Sequence, residues 1–266
     1  MPPDRDDLRL LAISVGNTRT TFGVFEGDLL TGAGAAPNAD PAALIAQLLE
    51  RARSIESAET RAVVCATVNP TFSESLIEAL EKELDAPVRR VEVDLPIAIV
   101  HSLGETHTTG QDRLLAALGA YEGLQQACVV IDAGTAITVD FVDGTGVFHG
   151  GVIAPGVQMM LDSLAERAAA LPALTAEAPS GDGPYPKTTV DAMRAGVIAA
   201  ARGLVRVMLD RYAESYGAYP VVIATGGDAE RLFADDEIVE SVAPHLVLRG
   251  IAASVRRALE PEDHDA

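Results

Sequence analysis

The chain has 266 residues, 48% of them hydrophobic and 22% charged, with a formal net charge of -19. That balance excludes a disordered or fibrous chain and suits one large or two ordinary domains with ample core. The acidic surplus repels phosphate backbones, so no nucleic-acid partner is expected, and no apolar run reaches the ~18 residues of a membrane span.

The start, Met1 to Arg9, is polar and acidic, unlike a signal peptide, so a soluble cytoplasmic protein with no membrane partner is expected. Lys82 and Lys187 are the only lysines. Cys65 and Cys128 lie inside apolar runs without metal-ligand spacing and read as buried core thiols. The five histidines show no paired spacing, so a zinc site is not expected.

In chain order, Leu10 to Phe25 reads as a hairpin around Gly16-Asn17-Thr18, followed by a short strand at Leu29 to Thr31. Gly32 to Pro37 lacks the third glycine of a dinucleotide fingerprint. Asp40-Pro41 starts a helix with Leu44, Ile45, Leu48 and Leu49 on one face. Ala62 to Thr67 reads as a buried strand, Asn69-Pro70 as a turn, and Leu76, Ile77 and Leu80 as the next helix face. Further strands are expected at Val88 to Val93 and Ile97 to Val100. Gly110-Gln111-Asp112-Arg113 then opens a helix. Asp112 suits a helix cap, but it could equally take a proton, with Arg113 pairing a carboxylate or phosphate.

Cys128 to Gly156 is the stretch the chain turns on. Val129-Val130-Ile131 reads as a buried strand ending in Asp132, then a small Gly134-Thr135 turn and a second strand to Val142. This is either a plain hairpin or a carboxylate placed to hold a hydrated metal beside a phosphate-facing turn. Gly150 to Gly156 leads into a helix whose Met159 and Met160 read as core packing. Pro172 to Pro186 reads as a loop, and Lys187-Thr188 lacks the glycines of a P-loop. A long helix is expected from about Val190 to Tyr216; its small residues Ala192, Ala195, Gly196, Ala199 and Ala200 permit close packing, as against a partner helix. Val221 to Ala224 reads as a strand ending in Thr225-Gly226-Gly227, which is either a tight turn or a nucleotide contact at a helix start. A strand near His245 to Leu248, a short helix and an acidic tail close the chain.

The first hairpin and the central one share a pattern. With Ile13 set against Ile131, Gly16 meets Gly134, Thr20 meets Thr138 and Val24 meets Val142. Two related half-domains are therefore expected, with phosphate-facing hairpins that clamp a nucleotide. At one position the copies differ: Ser14 stands where the second has Asp132.

Taken in order, Gly16-Asn17-Thr18, Gly110 to Arg113, Asp132-x-Gly134-Thr135, Gly150-Gly151-x-Ile153-x-Pro155-Gly156, Thr189-x-x-Ala192 and Thr225-Gly226-Gly227 resemble the type III pantothenate kinases over Leu10 to about Ala253. The resemblance implies an α/β fold of two actin-like (ribonuclease H-like) lobes, each a mixed sheet flanked by helices, with the nucleotide cleft between them. Lobes at 1–117 and 118–266 are expected, the second with a long dimerisation helix. It implies phosphorylation of pantothenate by ATP to 4′-phosphopantothenate, the opening step of coenzyme A synthesis. It also implies a homodimer with the pantothenate pocket near its interface, Mg²⁺, and potassium or ammonium as a monovalent cation. On this resemblance Asp112 is the general base, and Gly110, Arg113 and Thr189 bind pantothenate. Asp132 holds Mg²⁺. Gly16, Asn17, Thr18, Gly134 and Thr135 line the phosphates, and Gly226 and Gly227 flank the adenosine.

The family's first phosphate motif has an aspartate where this chain has Ser14. A carboxylate brings a full charge to Mg²⁺ and a hydroxyl only a dipole. Two readings follow: a working pantothenate kinase with a rearranged metal site, or a weakened or inactive homologue that binds nucleotide or pantothenate as a regulator. A kinase of the same fold acting on another small alcohol is a third.

Overall fold

The structure is a computed structural model that describes residues 7–104, 109–180 and 184–260. His107, Asp4, Asp6 and the tail after Glu260 lie outside them. In chain order the elements are β1 (Leu8–Val15), β2 (Arg19–Glu26), β3 (Leu29–Pro37), α1 (Pro41–Ser54), β4 (Thr60–Thr67), α2 (Pro70–Leu84), β5 (Arg89–Arg90) and β6 (Val100–His101). There follow α3 (Gln111–Leu124), β7 (Cys128–Ala133), β8 (Ala136–Val142), β9 (Val147–Pro155), α4 (Val157–Arg167) and α5 (Thr189–Tyr216). The last are β10 (Val221–Thr225), α6 (Ala229–Phe233), β11 (Ser241–Val242) and α7 (Leu246–Leu259).

The chain divides into two compact units. Unit 1 takes the residues up to Val100, Gly104–Gly123 and those from His245 on; unit 2 takes His101–Leu103 and Leu124–Pro244. Unit 1 holds a sheet ordered β3-β2-β1-β4-β5. β1 is antiparallel to β2 and parallel to β4, and β2 is antiparallel to β3. Both faces of β1 are buried: Leu11, Ile13 and Val15 pack with Leu44, Leu48, Leu76 and Leu80 of α1 and α2. Leu8, Leu10 and Ala12 pack with Leu115 of α3 and Leu248 and Ile251 of α7. A strand covered by helices on both sides reads as one continuous apolar run, as this one does.

Unit 2 repeats the plan. Its sheet runs β11-β10-β7-β8-β9-β6. β7 is antiparallel to β8 and parallel to β10, and β8 is antiparallel to β9. β7 and β8 pack against α5 through Val129, Ile131, Ile137, Val139, Val197, Ala201 and Val205.

The strand ladders correct the residue pairing read from the repeat. Ser14 lies opposite Thr21 and Ala66, and Asp132 lies opposite Thr138 and Thr225. Thr138 is thus the counterpart of Thr21, not Thr20, and Phe141, not Val142, that of Val24. The cause is turn length: the first turn closes from Gly16 N–H to Arg19 O, the second from Gly134 N–H to Ala136 O.

Local chemistry sets the helix starts. Asp40 accepts the Ala43 N–H at 3.1 Å and Asn69 the Phe72 N–H at 3.3 Å, each followed by proline at the first helical position. Thr188 caps α5, and Gly217, at φ 83°, ends it.

Five expectations change. β3 runs on to Pro37, its small residues letting Gly34 lie flat on the Phe22 ring. The Val88 to Val93 strand shrinks to Arg89–Arg90, because the Asp94 carboxylate takes the Arg90 N–H at 2.7 Å and Glu92 turns at φ 63°. Only Val100–His101 remains of the Ile97 to Val100 strand; Ala98 bonds instead to Ser254 and Arg257 of α7. His245 to Leu248 is the start of helix α7; the apolar run Leu246-Val247-Leu248 is too short to tell a strand from a helical turn. Met159 is exposed rather than packed in the core.

Candidate active site

In unit 1, three segments meet at the C-terminal end of β1. The Gly16-Asn17-Thr18 turn follows β1 directly. Asn17 and Thr18 are exposed, and a Cβ on Gly16 would lie 2.9 Å from Arg19 O. The end of β4 runs alongside, with Val68 N–H bonded to Val15 O at 3.0 Å. The start of α3 is tied to this edge by Gln111. Its side-chain carbonyl accepts the Thr67 N–H at 3.1 Å, and its amide donates to Val91 O at 3.3 Å.

That tie places Asp112. It stands second in α3, so it is not the residue before the helix that a cap requires. It is half-buried, and burial raises its carboxyl pKa above the ordinary Asp range against the opposing pull of the Arg113 N–H and charge. Gly110 makes room for it: a Cβ there would lie 2.5 Å from Asp112 Oδ1. Arg113 is half-buried next to it. A carboxylate whose proton affinity is raised toward neutrality is suited to general-base work.

In unit 2, three loops converge at the corresponding end of β7. Asp132 is half-buried. Gly134 leaves open space, since a Cβ would meet nothing within 4 Å. Gly156, before α4, donates to Thr135 O at 3.0 Å, and its own Cβ would strike Gly134 O at 2.1 Å. Gly226 follows β10 at φ 96°, where a Cβ would lie 2.3 Å from Ala133 O and 2.4 Å from Asp132 Oδ1. Asp228 N–H bonds to Ala133 O at 2.9 Å, closing the loop on β7. Gly227 faces open space like Gly134. Asp132, Gly134, Thr135, Gly226 and Gly227 are thus brought together.

Thr189 stands apart from this cluster, exposed at the start of α5. Its surroundings are fixed by Asp191, which takes the Ser180 N–H and hydroxyl at 2.8 Å each and the Thr188 hydroxyl at 2.7 Å. These hydrogen bonds, the Thr188 one foremost, hold the Asp191 carboxyl below the ordinary Asp range.

Ser14 and Asp132 occupy equivalent ladder positions and are both half-buried. A cavity of about 540 Å³ lies elsewhere in unit 2, lined by Phe141, Asp143, His149, Tyr212 and Tyr216 among others. None of the candidate residues lines it, so convergence of functional groups, not cavity size, locates the site.

Residues 10–211 match the family model described as type III pantothenate kinase. The chain belongs to the type III pantothenate kinase family. The type III pantothenate kinase of Frankia alni is 34% identical over 244 residues, covering 91% of this chain and 96% of the relative. That of Rhodospirillum rubrum is 34% identical over 257 residues, covering 93% and 98%. Among solved structures, a Campylobacter jejuni protein titled for the Baf family of transcriptional activators aligns with a TM-score of 0.58 at 21% identity, over 93% of this chain and 98% of that one. The activator of 2-hydroxyisocaproyl-CoA dehydratase from Clostridium difficile, with bound ADPNP, aligns at 0.51 and 12% identity, over 97% and 100%. These structural likenesses bear on fold alone, and they agree with the expected actin-like α/β class of this kinase family.

Sequence reasoning passed over Gln111, Asn38 and Asp191. Gln111 lay inside a quoted motif without a role. Asn38 follows Pro37 as Gly156 follows Pro155, a second line of the internal repeat that the sequence does carry.

Proposed function

We propose that this chain transfers the γ-phosphoryl group of ATP to the primary hydroxyl of pantothenate, the first step of coenzyme A synthesis. The observation that carries the reading is Asp112: a family kinase with a carboxylate of raised proton affinity, fixed by Gln111 beside the β1 turn. Asp112 takes the hydroxyl proton as that oxygen bonds to the γ-phosphorus and the bond to ADP breaks. Arg113 pairs with the pantothenate carboxylate, and Gly110 and Thr189 complete the substrate contacts. The Gly16-Asn17-Thr18 and Gly134-Thr135 turns hold the phosphates, and Gly226 and Gly227 flank the adenosine. Phosphoryl transfer rests mainly on positioning and charge stabilisation, which such groups supply.

The residues of unit 2 fit Mg²⁺. Among the described residues no cluster of His, Cys, Asp and Glu could hold a metal alone. Mg²⁺ on a nucleotide needs only one or two carboxylates, the rest being phosphate and water. Asp132, beside the open space at Gly134 and Gly227, would be that carboxylate. The ion, when bound, offsets charge on the phosphates. Potassium or ammonium belongs to the same reading, tested by turnover in sodium against potassium buffer. A homodimer is supported by an exposed stripe of small residues on α5, Ala192, Gly196, Ala199 and Ala200, and by exposed Ile153, Met159 and Leu164. A second copy covering these faces would be seen as doubled mass in light scattering. The reading places the protein in the cytoplasm, in line with the absence, among the described residues, of any helix long and apolar enough to cross a membrane.

The test is ATP turnover with pantothenate, Mg²⁺ and potassium in wild type, Ser14→Asp and Asp112→Asn. Turnover in wild type that is lost in Asp112→Asn is expected. Ser14→Asp should raise the rate at limiting Mg²⁺ roughly tenfold or more, since it adds a full charge at the position matching Asp132. Turnover only in Ser14→Asp would mean a kinase scaffold silenced at one position. Silence in all three folded proteins would refute the assignment.

A further inference from the structure

The two phosphate-facing turns are braced in different ways. In unit 2 the brace is backbone: Gly156 has no side chain, and the carbonyls of Gly134 and Thr135 lie in the space its Cβ would fill. Asn38 holds the equivalent place in unit 1. Pro37 pairs with Arg19 as Pro155 pairs with Ala136, and Asn38 N–H bonds to Thr18 O at 2.9 Å as Gly156 N–H bonds to Thr135 O. The first turn is one residue longer, and the Asn38 side chain fills the added space. Its Nδ2 donates to Gly16 O at 2.8 Å and to Asn17 O at 3.3 Å.

The orientation of this amide is fixed. Two carbonyls can only accept, so the NH₂ must face them. On the other side, the hydroxyl of Thr20, which is fully buried, donates to Asn38 Oδ1 at 2.8 Å. A peptide unit is planar and trans, so its C=O and N–H point opposite ways. Carbonyls of Gly16, Asn17 and Thr18 turned toward Asn38 therefore turn the N–H groups of Asn17, Thr18 and Arg19 away from it. Successive backbone N–H groups aimed to one side form an anion-binding concavity.

We propose that Asn38 is a positioning residue for the nucleotide phosphates: its amide sets the Gly16-Asn17-Thr18 carbonyls so that the N–H groups of the turn face the anion. The proposal rests on the kinase reading above. It predicts an effect on nucleotide, not on pantothenate, because the Asn38 side chain bonds to the turn and to Thr20 of β2, neither of them a proposed pantothenate contact.

The test compares wild type, Asn38→Ala and Asn38→Asp by three readouts: KM for ATP and for pantothenate, equilibrium binding of ADP, and Tm. The Ala variant removes the donors. The Asp variant keeps the acceptor for Thr20 but sets a carboxylate against two carbonyls. The expected result is a rise of roughly tenfold or more in ATP KM and ADP Kd in both variants, larger for Asp, with pantothenate KM close to wild type. Asn38→Asp should regain ADP affinity relative to wild type as pH falls, since a protonated carboxyl can again donate to Gly16 O. Asn38→Ala should not. A merely structural role would raise both KM values together and give no recovery in acid. Unchanged ATP KM, equal rises for both substrates, or loss of fold in both variants would overturn the proposal. If wild type fails to phosphorylate pantothenate, the kinase reading falls, while ADP binding still decides the role of Asn38: weaker binding in the variants supports it. A wild type that binds no ADP overturns it.

Discussion

Gly226 and Gly227 are neighbours in sequence with opposite demands, and alanine at each tests the reading of the β10 turn. At Gly226 the backbone stands at φ 96°, and an added Cβ would lie 2.3 Å from Ala133 O and 2.4 Å from Asp132 Oδ1. The conformation alone costs an L-residue about 1–2 kcal/mol. Relieving the overlap with a strand-end carbonyl adds about 1–3 kcal/mol, the usual range for overpacking. The sum, about 2–5 kcal/mol, should lower Tm by about 5–15 °C for a chain of this size. The overlap falls on the proposed Mg²⁺ carboxylate, so the Mg²⁺ concentration for half-maximal rate should rise as well. At Gly227 a Cβ would meet nothing within 4 Å. Gly227→Ala should leave Tm within about 1 °C, in keeping with a substitution that disturbs no packing. It should instead raise ATP KM, because it fills space assigned to the nucleotide. Thermal denaturation followed by titrations of Mg²⁺ and ATP separates the two. Equal Tm loss in both variants, or Gly226→Ala with unchanged Tm and Mg²⁺ response, would refute the reasoning.

Other outcomes follow from the titrating groups. Asp112→Asn should cut kcat by about 10²–10⁴-fold with substrate KM values little changed. Burial raises the Asp112 pKa, so its contribution to stability is present below the ordinary Asp pKa and lost as pH rises through the raised one. The Asn variant should therefore match or exceed wild type in Tm at neutral pH, with the gain vanishing in acid. Asp191 has the opposite sign: its lowered pKa stabilises the fold above the ordinary Asp range, and this fades as pH falls through the lowered value. Asp191→Ala should release Ser180 from α5 and raise pantothenate KM more than ATP KM, measured by steady-state kinetics. Burial pushes the Cys65 and Cys128 thiols up to about 12, so neither should react with a thiol reagent at pH 8 until the protein is unfolded.

Much of this was legible in the sequence because the deciding signals are local. Asp40-Pro41 and Asn69-Pro70 announce helix starts through short-range hydrogen bonds and a fixed proline φ. The β1 and β7 runs are apolar on both faces, and the shared pattern around Gly16 and Gly134 exposed the repeat. What failed depended on distant partners. The His245 to Leu248 strand was misread because a short apolar run is ambiguous by itself, and the packing of α7 on Leu8 and Leu10 of β1 decides it. Register within the repeat slipped by one because turn length is set by hydrogen bonds from Gly16 and Gly134, not by residue type. Asn38 and Gln111 act by side-chain bonds to backbone 20 or more residues away, which no spacing rule captures.

The helix α7 has a further consequence. It belongs to unit 1, although it is the last described element, and it packs backbone to backbone against α3. A Cβ on Gly250 would lie 2.0 Å from Leu115 O, and one on Gly119 would lie 2.2 Å from Leu246 O. Domains usually form in the order they leave the ribosome. Here the order is inverted: unit 2 can close once Pro244 has emerged, while unit 1 waits for the segment after it. The N-terminal strands are made first and completed last, so until α7 arrives the apolar face of β1 that carries Leu8, Leu10 and Ala12 has only α3 and the segment after β5 to cover it. During synthesis this is the surface a chaperone would guard.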